Sequence, residues 1–177
     1  MQNYPDNSIE DILLKFQPII GQDFELYRNH VYRVYLNCVM IDPQTENKPK
    51  YAIASAFHDI GIWTDHTFDY LAPSMKQAKQ YLTGINKLEW FEEISSMINW
   101  HHKISRYKGK DEVLVENFRK ADWIDVSLGL KTYGLDKTRI KENLKSIPNL
   151  GFHWFLLRQF LHQFIKEPLR PLPMFKK

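Results

Sequence analysis

The chain has 177 residues, 44% of them hydrophobic and 14% aromatic, and carries a formal net charge of +3 at pH 7. This composition describes one folded domain with a substantial core and excludes disordered and membrane-embedded classes. The basic excess is small and scattered, which argues against nucleic acid as a partner. The one cysteine, Cys38, excludes an internal disulfide framework and fits a reducing compartment. The opening residues place acids where a secretory signal carries bases, and no run approaches the roughly 18 apolar residues that span a bilayer. A cytoplasmic location without membrane contact is expected.

Helical periodicity dominates from one end to the other. Segment 8–17 predicts a short amphipathic helix with Ser8 at its N-cap. Over 21–41, Phe24, Tyr27, Val31, Val34, Cys38 and Ile41 form one apolar stripe. "DPQTENKPK" reads as a loop. Segment 50–60 is apolar nearly all round and predicts a buried central helix that stops at Gly61. An aromatic-rich loop over 61–73 leads to "SMKQ", which fits a capping box with Ser74 at the N-cap and Gln77 at N3, opening a helix to about residue 83. Further helices are predicted over 86–102, 111–130, 136–146 and 152–166. The terminal "EPLRPLPMFKK" is broken by prolines and predicts an extended tail. The expected fold is an all-α, single-domain helical bundle of about seven to eight helices spanning 1–177.

Polar groups interrupt the apolar stripes at particular places. His30 lies beside Tyr27 and Val34 on the buried side of its helix. His58 and Asp59 end the most hydrophobic segment. His101 and His102 close the face carrying Phe91, Ile94 and Ile98. Asp122 and Asp125 share a stripe with Leu114, Phe118 and Ala121. Any one of these has an ordinary explanation as a hydrogen-bonded core residue, a cap or an ion pair. Together they share one chemistry, imidazole plus carboxylate without thiolate. That set suits one or two divalent cations among Mn, Fe, Co, Ni, Zn and Mg, and a cation offsets the cost of burying carboxylates. At a helix end His58 and Asp59 can converge on one ion, or Asp59 can bridge two.

An isolated histidine, a His-Asp doublet at a helix end and a distant aspartate within "KADWID" resemble the pattern of the HD superfamily of metal-dependent phosphohydrolases. The resemblance covers about residues 20–130. It implies an HD-domain-like fold in which His30, His58, Asp59 and Asp122 bind a divalent metal. "WHHK" resembles the paired histidines of two-metal members, which makes His101 and His102 candidates for a second ion, with His66 a further one. "HDIGI" has Ile62 where relatives carry lysine or glutamate, Lys103 stands where "HHE" has its glutamate, and "GYP" is absent. These departures argue against a cyclic-dinucleotide phosphodiesterase and against a straightforward 5′-nucleotidase.

The expected activity is hydrolysis of a phosphate ester of a small metabolite or nucleotide by metal-activated water. Asp59 is the central catalytic candidate. Arg33, Lys103 and Arg119 are candidate phosphate contacts, and Asp125 is a candidate proton donor or an orienter of a ligand histidine. Two other outcomes are carried: an HD-type di-iron oxygenase, suggested by the extra histidines, and a non-catalytic metal- or nucleotide-binding module. The oligomeric state is left open, a homodimer included.

Overall fold

Two helices with almost no exposed face hold the centre of the fold in the computed structural model, which describes residues 6–168. Helix α2 (Phe24–Ile41) buries Phe24, Tyr27, Val31, Val34 and Cys38, the stripe expected of it. It also buries Asn29, His30, Arg33 and Asn37 on its other side, because a second partner packs there. That partner is α7 (Glu112–Val126). Helix α3 (Lys48–Phe57) is buried at every position from Tyr51 to Phe57. Pro49 sits at its start, where a missing N–H costs nothing.

The remaining helices close around this pair. Helix α1 (Asn7–Ile20) and α6 (Phe91–Trp100) pack on α3, and α5 (Leu71–Gly84) packs on α6. Helices α8 (Lys137–Ser146) and α9 (Phe152–Lys166) reach α2 from the C-terminal side. The described residues form helices joined by turns and loops, with no strand, and the expected helical bundle is present. The tail beyond Pro168 lies outside the described residues.

Three local expectations are corrected. The N-cap of α1 is Asp6, whose carboxylate accepts from the N–H groups of Ser8 and Ile9, so Ser8 is already inside the helix. The capping box at Ser74 does not form, because α5 begins three residues earlier at Leu71. Ser74 is instead fully buried, and its hydroxyl accepts the Gly61 N–H at 2.9 Å. Gly61 does not stop α3 either. The helix ends at Phe57, residues 58–60 form a turn, and Gly61 opens a one-turn helix, α4 (Gly61–Thr64). A Cβ there would lie 2.3 Å from the Tyr70 carbonyl oxygen and 2.8 Å from Pro73 Cβ. Glycine is needed at 61 for close approach of α4 to the start of α5.

Candidate metal centre

Four elements aim side chains at one buried point. Helix α2 supplies His30, the turn after α3 supplies His58 and Asp59, the end of α6 supplies His101, and α7 supplies Asp122. All five are buried. His30 Nε2 lies 2.9 Å from His58 Nε2, 3.6 Å from Asp59 Oδ2 and 3.7 Å from Asp122 Oδ1. His58 Nε2 lies 3.4 Å from Asp59 Oδ2 and 3.8 Å from Asp122 Oδ1. Donors on one ion with bonds of about 2.1 Å stand about 3.0 Å apart in octahedral geometry and about 3.4 Å in tetrahedral geometry. The observed spacings fall close to that range. His30, His58 and Asp59 together form a group that could hold a metal ion.

The histidines are oriented for ligation. His58 Nδ1 donates to the Ser55 carbonyl at 2.8 Å, and His101 Nδ1 donates to the Ile98 carbonyl at 2.7 Å. His30 Nδ1 donates to Asp125 Oδ2 at 2.7 Å. Each bond fixes a ring and turns its Nε2 toward the carboxylates, the arrangement that orients metal-binding imidazoles. Asp59 shows the complementary sign. Its Oδ1 is buried without a hydrogen bond, 3.4 Å from His101 Nε2. A buried carboxylate oxygen left in this state is costly unless a cation compensates it.

Burial and mutual pairing shift the titration of every member of the cluster. Burial opposes charge on His30, but its bond to Asp125 and the nearby Asp59 carboxylate prevail and raise it to about 9. His101 is raised too, with Asp59 and Asp122 overcoming burial. Burial, with the neighbouring His101 and His30 charges, pushes His58 down to about 3 despite Asp59. Burial would raise Asp59, yet the His58, His101 and His30 imidazoles hold it well below the usual carboxylate range. Burial, aided by Asp59 and Asp125, lifts Asp122 to about 6.

The other candidates separate. His102 is half-buried, its Nδ1 lying 3.3 Å from His101 Nε2. It stands beside Asp59 and Asp122 at the rim of a cavity of about 310 Å³. Asp125 does not line this cavity. It is buried between His30 and Arg33, and burial, which would raise it, is overcome by those two partners, which hold it at about 2. Arg33 grips both Asp125 oxygens through Nε and Nη2, and its Nη1 donates to the carbonyls of Ile147 and Pro148. The expected contact of Arg33 with substrate and of Asp125 with a leaving group is corrected accordingly: both guanidinium edges and both carboxylate oxygens are engaged behind His30.

Arg119 is likewise engaged, donating to Glu116 through Nε at 2.7 Å and Nη2 at 2.9 Å and to the Lys103 carbonyl at 3.2 Å. Lys103 meets this region through its backbone oxygen, which also accepts the Trp123 indole N–H. His66 is not brought to the cluster. It follows α4 in a left-handed backbone conformation and lines a different surface cleft with Asp23 and Trp63.

Tyr70, at the end of the aromatic-rich loop, also reaches the cluster. Its hydroxyl lies 3.4 Å from His101 Nε2 and borders the cavity. Burial, then Asp59 and Asp122, raise its pKa well above the phenolic range, so it stays protonated. Phe152 was missed. Its ring stacks on His30 with centroids 3.9 Å apart and planes inclined by 17°. Neither contact has a signal in the local sequence, since each crosses between distant elements.

No family model, curated protein or solved structure matches the chain.

Proposed function

We propose that the protein is a metal-dependent phosphohydrolase of HD type that cleaves a phosphate ester of a small molecule. One observation carries this: three imidazole Nε2 atoms and two carboxylates converge at a buried point where Asp59 Oδ1 has no hydrogen bond. His30, His58, Asp59 and Asp122 would hold one ion, and His101, next to the other Asp59 oxygen, with His102 beside it, would serve a second. When bound, a divalent cation supplies positive charge for the phosphoryl oxygens and acidifies water to a pKa near about 7.

The chain's own groups do the rest. Asp125 and the Ser55 and Ile98 carbonyls hold the imidazoles in their tautomers. Arg33 anchors Asp125. The Tyr70 hydroxyl, protonated and next to His101, is placed to donate to an ester oxygen as it leaves. Phe68 and Trp123 line the cavity with apolar surface, which strengthens electrostatic interactions beside it.

The test is a panel of phosphomonoesters and diesters assayed with Mn, Co, Ni, Zn, Fe and Mg, together with metal analysis of the purified protein. Turnover that depends on added metal and disappears in Asp59→Ala is expected. Metal-loaded protein that turns over none of the panel overturns the proposal. Iron at two per chain with oxygen consumption would instead establish an oxygenase. That second reading is favoured by the histidine pair beside Asp59.

A further inference from the structure

We infer that the substrate of this centre is the phosphate monoester of a bulky apolar alcohol or phenol, and not a nucleotide or a sugar phosphate. The phosphate in this inference rests on the phosphohydrolase reading above; the apolar group rests on the cavity alone. The cavity of about 310 Å³ matches the lower range for small organic ligands. Its polar groups are gathered at one end, where Asp59, Asp122, His101 and His102 stand with the Tyr70 hydroxyl. The rest is walled by Phe68, Trp123, Val126, Leu156 and Phe160 and the Tyr70 ring.

Among the described residues no lysine, arginine, asparagine or glutamine lines the cavity. The nearby guanidiniums of Arg33 and Arg119 are committed to Asp125 and Glu116. A second or third phosphate would enter without a cation to meet it. Sugar hydroxyls and the hydrogen-bonding edge of a nucleobase would lose water against carbon walls without replacement partners, which is costly. A hydrocarbon group gains from the same walls, by about three- to fourfold in affinity per methylene buried. Helix α9 builds one side of this wall through Leu156, Leu157 and Phe160, so the specificity surface lies outside the segment that carries the ligand pattern.

The experiment compares two measurements on the full chain loaded with Mn. The first is kcat/KM for n-alkyl phosphates from ethyl to octyl, and for naphthyl phosphate against adenosine monophosphate and glucose 6-phosphate. The second is the melting temperature with non-hydrolysable n-alkyl phosphonates of the same lengths. A three- to fourfold rise in kcat/KM per methylene until the cavity fills, at least a tenfold preference for naphthyl phosphate over adenosine monophosphate, and a chain-length-dependent rise in melting temperature are expected. Leu156→Asn and Phe160→Ser, both at partly exposed positions, should flatten the length dependence of phosphonate binding. Hydrolysis that prefers nucleotides or sugar phosphates, or phosphonate binding without length dependence, overturns the inference while leaving the phosphohydrolase reading intact. Length-dependent phosphonate binding with no monoester hydrolysed overturns the phosphohydrolase reading and retains the apolar cavity.

Discussion

His30 and Asp125 are joined through the side of the imidazole that faces away from the cluster, Nδ1 donating to Oδ2 at 2.7 Å while Arg33 holds the same carboxylate. The aspartate therefore acts on the centre through His30 and touches nothing in the cavity. Asp125→Asn keeps the volume but weakens the bond and the orientation it enforces. Its metal affinity should fall about 10- to 100-fold, read by calorimetric titration. An affinity equal to that of the unaltered protein would remove the orienting role. Asp125→Ala should also lose about 3–5 kcal/mol of stability, because Arg33 is left buried without its anion.

Asp122 tests whether a metal response depends on the carboxylates. An ion at about a thousand times its dissociation constant stabilises a folded protein by about 4 kcal/mol. Thermal denaturation of the unaltered chain should show that gain with Mn or Zn. Asp122→Asn should show a much smaller gain at the same concentration. Equal gains in both would place the ion elsewhere.

Gly61 is a packing requirement. A methyl group at this position would fall 2.3 Å from the Tyr70 carbonyl oxygen, which is backbone and cannot swing aside. Gly61→Ala should cost about 1–3 kcal/mol in chemical denaturation, the range for overpacking a filled site. Ser74→Ala should cost about 1–3 kcal/mol as well, since the Gly61 N–H loses its acceptor in a buried place. If both substitutions left the denaturation midpoint unmoved, the close contact of α4 with α5 would be wrong.

Acid should weaken the fold through Glu116. Burial works to raise this carboxyl, but the Arg119 guanidinium and the Tyr107 N–H outweigh it and hold it below the usual range. A depressed native value means that the unfolded chain takes up the proton first. The resulting stability is complete above the unfolded value of roughly 4.3 and is lost as pH falls through the native one. Unfolding free energy measured from pH 6 down to pH 3 should fall, and Glu116→Gln should fall less steeply. An unchanged slope in the variant would assign the acid sensitivity to other groups.

The helices were legible because apolar spacing at three and four residues is a local signal, and the stripe from Phe24 to Cys38 is buried as its spacing requires. The His/Asp cluster was legible for a related reason. His30, Asp59 and Asp122 are polar groups beside apolar runs in the chain, and such positions call for a compensating partner. The helix starts were less so. Ser74 has the letters of a cap, yet α5 begins earlier and the hydroxyl is used by Gly61. The cations misled most. Arg33 and Arg119 sit near ligands in the chain, but proximity in sequence does not say which carboxylate a guanidinium will choose, and here Asp125 and Glu116 take them. The stack of Phe152 on His30 joins α9 to α2 and has no local trace at all.

More than half of the chain lies between His30 and Asp122, with the His58-Asp59 turn between them. An ion seated among these side chains would clasp three distant parts of the backbone at once. In an unfolded chain the same residues would meet only by closing long loops, and the entropy of doing so opposes early capture. Loading would then come late, after α2, α3 and α7 have packed. The ion would act as a latch on a finished molecule, slowing its opening far more than it speeds its assembly. Purified protein stripped of metal should therefore keep its helices yet succumb sooner to proteases, which makes protease lifetime a record of occupancy that needs no substrate.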